Sequence, residues 1–160
     1  NAIHGEALLP GMATVKTLND EGLLQPARPE LVSNPPRIAA RSADERAVLG
    51  YLAGNCGACH NRKGDLAPLG LFWKHGEVAA SGADTVRAML GHETKWQVPG
   101  VPEGESVLVD PVRPENSAML RRMTSRFPAS QMPPLGTVLR DQDALDAVAR
   151  WIALQRELSR

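Results

Sequence analysis

Apolar residues recur at helical spacing in the stretch that follows Ser42, and this is the clearest structural pattern in the chain. Ser42 and Glu45 form a capping box, in which the serine oxygen accepts a hydrogen bond from an early backbone N–H and the glutamate reaches back. The apolar positions that follow share one helical face: Val48, Leu49, Leu52 and Cys56. The pattern predicts a helix that carries a cysteine at its core-facing end.

Two shorter helices are predicted on either side of this stretch. Residues 13–21 predict one, ended by Gly22, and residues 83–90 predict the other, ended by Gly91, because glycine favours helix C-termini. Proline lacks an N–H and restricts the residue before it, so proline-rich stretches are predicted to be non-helical. Three stretches rich in proline or glycine are predicted to be extended or looped: 25–36, 61–82 and 99–114.

Two more helices are predicted in the last third of the chain. Asn116 or Ser117 can cap a helix that runs to about Arg126 and ends before Pro128. Its predicted apolar face consists of Leu120, Met123 and Phe127. The last helix is predicted to start near Asp141, where acidic side chains suit the positive end of the helix dipole. Its predicted inward face consists of Leu145, Val148, Ala149, Trp151, Ile152, Leu154 and Leu158.

These patterns predict an all-α fold with long loops, because no strand-like alternation of useful length and no internal repeat is present. The chain has 160 residues, of which 42% are hydrophobic and 22% are charged, and these values fit one soluble globular domain. We assign residues 1–41 to an N-terminal extension or strap and residues 42–160 to the main domain.

The charge balance argues against two classes of partner. Lysine plus arginine equals aspartate plus glutamate at 18 each, so neither nucleic acid nor an anionic membrane surface is an expected partner. No run of 18 apolar residues is present, so no membrane span is expected. The apolar stretch near the start is too short and broken for a secretory signal peptide.

The chemistry of the chain is concentrated in Cys56-Gly57-Ala58-Cys59-His60, which contains its only two cysteines. A C-x-x-C pair followed at once by histidine is the pattern for covalent attachment of a c-type haem. Cys56 and Cys59 would form thioethers with the haem vinyl groups, and His60 would bind the iron as a neutral imidazole.

Other uses of a cysteine pair fit less well. A zinc site commonly needs two such pairs, and there is no second pair and no His-x-x-x-His. A thioredoxin-like pair requires a strand–motif–helix setting, whereas this motif follows a long predicted helix. A simple disulfide would leave His60 without a role.

A second axial ligand for the iron must come from elsewhere in the chain, and Met132 is the best candidate. Its thioether is soft and neutral, and Pro133 and Pro134 stiffen the loop that carries it. Met119 and Met123 lie on a predicted helix, where methionine usually fills the core. The rival nitrogen ligands are His4, His75 and His92, for which solvated surface roles are simpler.

Several weaker candidates could hold the rest of a haem. Arg122 or Arg121 could pair with an anionic propionate, and Trp96 or Lys95 could contact one. The carbonyl of Pro68 could accept a hydrogen bond from the second nitrogen of His60.

With these residues in place, the chain resembles a class I cytochrome c domain. The resemblance rests on the helix that runs into Asn55 and the Cys56–His60 motif, on 132–136, and on a closing helix with Trp151-Ile152. It implies a cytochrome c-like helical fold, one covalent haem c held by Cys56 and Cys59, and His60 and Met132 as axial ligands. It also implies export before haem attachment, hence a periplasmic or otherwise extracytoplasmic location.

A narrower resemblance is to haem domains at the C-terminal end of larger exported bacterial redox proteins. It rests on three segments: 18–24, 51–55 and 114–123. The implied function is electron transfer, one electron at a time, with a dehydrogenase, an oxidase or another cytochrome as partner, and without catalysis by this chain. Two alternatives stay open. One is a haem enzyme or gas-reactive domain with an open or labile sixth iron position, and the other is a structural haem domain that docks a dehydrogenase.

Overall fold

The computed structural model describes residues 13–35 and 37–158, and this part of the chain is mostly helical. Its seven α-helices are α1 Val15–Asp20, α2 Pro29–Ser33, α3 Ala43–Asn55, α4 His75–Ala80, α5 Gly82–Met89, α6 Ala118–Thr124 and α7 Gln142–Leu158. Two short 3₁₀ turns lie at Ala67–Leu69 and Pro114–Asn116. Within the described residues, β structure is limited to the isolated bridges Leu90–Val109 and Glu93–Val107. The expectation of an all-α fold is confirmed.

The core forms where α3 packs against α7, with α4 and α6 on its flanks. Both helices bury most of the stripe that their spacing predicts: Leu49 and Leu52 of α3 and Val148 and Ile152 of α7 are almost fully buried. Ile38, which precedes α3, is also buried in this core. The site motif therefore starts from a helix that the core fixes in place.

A buried polar network fastens the crossing of α3 and α7. The Glu45 carboxylate is 1% exposed and accepts hydrogen bonds from the backbone and guanidinium of Arg41 at 2.6–3.2 Å. It also accepts the indole N–H of Trp151 at 3.3 Å. Ser42 caps α3 as predicted, but the glutamate reaches back to the N–H of Arg41 rather than to that of Ser42. Gln155 joins the network by accepting from Arg41.

Two of the predicted irregular stretches contain short helices, so those predictions were wrong in part. In 25–36, Pro29 occupies the first turn of α2, where its missing N–H costs no hydrogen bond. In 61–82, α4 is six residues long, too short for a periodic signal, and the burial of Val78 stabilises it.

The last two helices correct details of the predicted apolar faces. The backbone becomes extended at Ser125, so α6 ends at Thr124, and Phe127 lies beyond it with 69% of its surface exposed. On α7, Leu154 is 38% exposed, whereas Gln155 is 1% exposed and takes the inward position. The side chain of Leu158 lies outside the described residues.

The N-terminal region contributes α1 and α2, which pack against each other. Thr14 caps α1 through its hydroxyl, and Gly22 follows with a φ of 68°, a conformation that glycine adopts at no steric cost. The predicted stop at Gly22 is confirmed. Among the described helices, none has the length and apolar character needed to cross a membrane.

Candidate functional site

The cysteine motif forms a tight turn that continues directly from the end of α3. The N–H of Cys56 donates to the carbonyl of Leu52 at 2.8 Å, so this cysteine is the C-cap of the helix. The N–H groups of Cys59 and His60 then both donate to the carbonyl of Cys56, at 3.1 and 2.8 Å. This turn brings two thiols and an imidazole to one end of the core.

Gly57 allows the turn to form because two other chain segments approach it closely. A Cβ at this position would lie 2.7 Å from the carbonyl oxygen of Ala53 and 2.8 Å from that of Trp73. Both neighbours are backbone atoms, which cannot move aside as the end of a flexible side chain can. The spacing residue after the first cysteine is therefore restricted to glycine by packing.

His60 is buried and its ring is held by Trp73. The two ring centroids are 4.6 Å apart at an interplanar angle of 46°, and the N–H of Trp73 donates to the carbonyl of His60 at 2.9 Å. Burial, and then the charge of Arg122, lower the pKa of His60, so the imidazole is neutral and can bind a metal. Its Nδ1 is buried without a hydrogen-bond partner.

Pro68 does not make the predicted contact with His60. Although Pro68 lines the same cavity, no hydrogen bond joins its carbonyl to the imidazole, since Nδ1 has no partner. The turn at Ala67–Leu69 positions Pro68 at the cavity wall instead.

A cavity of about 620 Å³ opens beside the motif, within the range of small-molecule and cofactor sites. Its lining includes the seven residues that the sequence favours as the cofactor site: Cys56, Cys59, His60, Pro68, Trp96, Arg122 and Met132. Leucines 52, 66, 69, 71 and 108 make much of the remaining wall apolar. Residues far apart in the chain thus meet around one largely apolar space.

Met132 reaches the cavity from a loop that is fastened to α6. We call residues 127–140 the methionine loop. The N–H of Met132 donates to the carbonyl of Arg122 at 2.9 Å, and the Nε of Arg122 donates to the carbonyl of Ser130 at 3.1 Å. The hydroxyls of Ser125 and Ser130 are 2.7 Å apart. These bonds hold the thioether side chain against the cavity from the side of α6.

Arg122 brings a half-buried positive charge into the cavity wall. Its guanidinium carbon lies 5.4 Å from the ring centroid of Trp96, and burial lowers its pKa. In the described part of the chain, no carboxylate forms an ion pair with Arg122. A partly desolvated cation without a carboxylate partner is suited to an anionic group of a bound ligand.

The rival candidates occupy different positions. Met119 and Met123 are buried and line the cavity, and His92 also lines it. His75 begins α4 and is not among the lining residues, while Arg121 is exposed. His4 lies outside the described residues.

Sequence reasoning missed the contact of Trp73 with His60, and it named His92, Lys95 and Trp96 only as separate candidates, without the wall they form together. Trp73 reads as an ordinary core aromatic in the sequence, and nothing in its neighbourhood indicates contact with His60. The segment 92–96 lines the cavity as a continuous wall, and the Thr94 hydroxyl stabilises it by donating to the carbonyl of Trp96 at 2.7 Å. Backbone pairing of 90–94 with 106–109 carries this wall, and such pairing leaves no short-range signal.

The cysteine environment favours neither a dithiol redox centre nor a zinc site. Both thiols are free, and burial, then the nearby Cys59, raise the pKa of Cys56 to about 11. A reactive redox cysteine has a lowered pKa instead. Among the described residues, no group of three or more His, Cys, Asp or Glu side chains could hold a metal ion.

Comparisons of the chain with known protein families, curated proteins and solved structures found no significant match.

Proposed function

We propose that this chain is a c-type cytochrome domain of class I that binds one haem covalently and transfers single electrons between protein partners. The observation that carries the proposal is the common cavity. A complete haem-attachment motif, a loop methionine and an arginine without a carboxylate partner among the described residues, all selected from the sequence, line one largely apolar space of about 620 Å³. A covalently attached haem with two protein ligands to its iron would use the thiols, the imidazole and the thioether, and its anionic propionates would suit the arginine.

The residues present fit the cofactor in chemical type. In this proposal, Cys56 and Cys59 form the thioethers, and both thiols line the cavity. His60 provides a neutral, buried imidazole, and Met132 provides a soft thioether from a loop anchored by hydrogen bonds. The bound haem supplies reversible one-electron chemistry at iron.

Arg122 and Trp96 support the same assignment. The guanidinium faces the cavity wall without a carboxylate partner in the described chain, so it can pair with a haem propionate. The ring of Trp96 lies beside this guanidinium, with 5.4 Å between its central carbon and the ring centroid. With both axial positions filled by the protein, electron transfer rather than substrate chemistry is the expected activity.

The proposal includes an extracytoplasmic location, since covalent haem attachment follows export in cytochromes of this class. A dehydrogenase, an oxidase or another cytochrome would be the electron donor or acceptor, and docking would be brief.

The first test is whether the protein carries covalent haem. We expect protein expressed with a haem-maturation system to be coloured, and its mass after denaturing extraction to exceed that of the polypeptide by one haem. The Cys56→Ser, Cys59→Ser double variant should lose this extra mass. A colourless wild-type protein would refute the proposal.

The second test concerns the axial ligand. Met132→Ala should lower the midpoint potential and let carbon monoxide bind the reduced protein, because methionine favours reduced iron and blocks the sixth position. Met119→Ala and Met123→Ala are the matched controls, since both side chains line the same cavity. If one of these controls, rather than Met132→Ala, opens the iron, the ligand assignment is wrong. Rapid carbon monoxide binding by the wild type would favour the open-site alternative.

A further inference from the structure

Burial does not hold the second half of the methionine loop in place. Most of residues 133–140 are exposed to solvent: Pro134, Leu135, Gly136, Val138, Leu139 and Arg140. Leu135, Val138 and Leu139 are 83%, 86% and 84% exposed, so they contribute little of the stabilisation that buried apolar side chains provide. Interactions other than burial must therefore fix this half of the loop.

Close packing does not fix the side chain of Met132 either. Met132 lines the candidate haem cavity of about 620 Å³ and also a second cavity of about 70 Å³, which Tyr51 and Leu139 line as well. A side chain that borders free space lacks packing contacts on that side and can move there. The position of the thioether therefore depends on how the backbone of the loop is held.

Hydrogen bonds anchor the two halves of the loop unequally. The first half has several bonds to α6 and to the segment that follows it, including the bond from the N–H of Met132 to the carbonyl of Arg122. In the second half, the hydrogen bonds donated by the side chains of Gln131 and Thr137 stay within the loop. Of the hydrogen bonds among the described residues, the one that joins this half to the rest of the protein comes from Arg126.

The guanidinium of Arg126 bridges the end of α6 and the end of the loop. Its Nη1 donates to the carbonyls of Met123, at 3.1 Å, and Ser125, and its Nη2 donates to the carbonyl of Leu139 at 2.9 Å. Because α6 ends at Thr124, the first two carbonyls belong to the helix C-terminus, where carbonyls lack helical partners and a positive charge is favourable. One side chain thus ties the exposed half of the loop to a helix that lines the candidate cavity.

We propose that Arg126 is a positioning residue, which bridges α6 and the second half of the methionine loop and thereby keeps Met132 at the cavity wall, where its thioether would bind the haem iron. Without the bridge, the exposed half of the loop would move more freely, and Met132 would leave the iron more often. Arg126 does not line the haem cavity itself, so it acts through the loop. The inference rests on the proposed function for the iron, but the bridge consists of contacts within the chain.

The first measurement is the mobility of the loop, which involves no redox reaction. Nitrogen-15 relaxation NMR of the reduced protein should give wild-type order parameters close to the rigid value of about 0.85 for the backbone of residues 135–140, and values below about 0.6 in Arg126→Gln. Arg140→Gln is the matched control, because it removes the same charge from an exposed position at the end of the same loop. This control should leave the order parameters of the loop unchanged.

The second measurement is the stability of the iron–sulfur bond in the haem-loaded protein. The weak far-red absorption band of the oxidised protein reports this bond, and in Arg126→Gln it should disappear on heating well before the far-ultraviolet circular dichroism of the helices is lost. Carbon monoxide should bind the reduced variant about tenfold faster than the wild type, the factor expected when one hydrogen bond from a charged group is lost. Met132→Ala sets the upper limit of this rate, and Arg140→Gln should match the wild type.

Arg126→Lys separates the charge of the side chain from the bridge that it forms. Lysine keeps the positive charge but lacks the planar fork of donors that reaches carbonyls on two segments. We expect Arg126→Lys to resemble Arg126→Gln in both measurements, and it is the milder variant to measure if Arg126→Gln does not fold.

The outcomes distinguish this inference from the proposed function. The positioning role is overturned if the order parameters of residues 135–140 do not change, if carbon monoxide binds the Arg126 variants at the wild-type rate, or if lysine restores wild-type behaviour in full. It is also overturned if Arg140→Gln has the same effects as Arg126→Gln. Absence of haem would refute the proposed function, whereas the order parameters would still test the bridge in the protein as it is expressed.

Discussion

Replacing Glu45 with glutamine tests whether the buried network at the crossing of α3 and α7 holds the site helix in place. The carboxylate accepts four hydrogen-bond contacts from Arg41 and one from Trp151. Glutamine keeps the size of the side chain but loses the charge and one acceptor oxygen. The amide N–H groups of glutamine would also face the N–H groups of the Arg41 guanidinium, and two donors cannot form a hydrogen bond with each other.

The expected loss of stability follows from how deeply Glu45 and Arg41 are buried. Removing one member of a buried ion pair costs about 3–5 kcal/mol, and a hydrogen bond to a charged group contributes about 1.5–3 kcal/mol. The side chain of Glu45 is 2% exposed, but that of Arg41 is 41% exposed, so water can hydrate the guanidinium after the change. We therefore expect Glu45→Gln to lower the free energy of unfolding by about 2–3 kcal/mol.

The stabilisation that Glu45 provides should depend on pH in a definite direction. Burial alone would raise the pKa of Glu45, but the hydrogen bonds from Arg41 and Trp151 outweigh it, so the pKa in the folded protein is lowered. A group with a lowered folded pKa stabilises the protein above its unfolded pKa, about 4.3 for glutamate, and this contribution is lost as the pH falls through the folded value. The difference in the free energy of unfolding between wild type and Glu45→Gln should therefore have its full size at neutral pH and become smaller as the pH falls below about 4.

Urea unfolding of the protein, followed by far-ultraviolet circular dichroism at pH 7 and pH 3, measures both effects. Asp44→Asn is the matched control, because this exposed acid lies in the same first turn of α3 and should contribute only about 0.3–1 kcal/mol through the helix dipole. Equal losses for Glu45→Gln and Asp44→Asn, or a Glu45→Gln effect that is the same at both pH values, would refute the reasoning.

Three further predictions concern close packing and charge. Gly57→Ala should lower the free energy of unfolding, measured with urea, by about 1–3 kcal/mol, because the added Cβ meets two backbone oxygens. Gly54→Ala is the matched control within α3. Its added Cβ meets no atom within 4 Å, so the better helix propensity of alanine should raise the free energy of unfolding by about 0.5–1 kcal/mol. Gly82→Ala should destabilise more than Gly57→Ala, because its Cβ would overlap a backbone oxygen of the segment before α3, and an equal or smaller loss would contradict this. If the chain binds haem as proposed, Arg122→Gln should lower the midpoint potential in a potentiometric titration, since a nearby cation favours reduced iron. The exposed Arg121→Gln should change the potential little, and equal shifts would count against the role of Arg122.

Much of the helical framework could be predicted from the sequence because its signals are local. The serine cap and apolar spacing of α3 depend on residues within one or two turns, and the glycine stop after α1 depends on a single residue. The short helix α4 could not be predicted, because six residues hold no full apolar period and its stability comes from the burial of Val78 against distant residues. Phe127 was misassigned because the end of α6 depends on the backbone at Ser125 rather than on apolar spacing.

The candidate site, like the fold, could be predicted only where its signals are local in the sequence. The Cys56–His60 motif is contiguous, so its chemistry is visible in five residues, and Met132 is marked by the two prolines that follow it. The contact between Trp73 and His60 depends on a backbone hydrogen bond that joins two loops, which no local pattern encodes. The expected carbonyl partner for His60 was wrong for the same reason, since proximity in sequence does not fix the direction of a carbonyl in a loop.

The long segment between the Cys56–His60 motif and Met132 has a structural role that follows from these contacts. It supplies Trp73 on the side of His60, Trp96 beside Arg122, and Met119 and Met123 deeper in the same cavity. The segment therefore forms a large part of the cavity wall, on the side of His60 and on the side of Arg122.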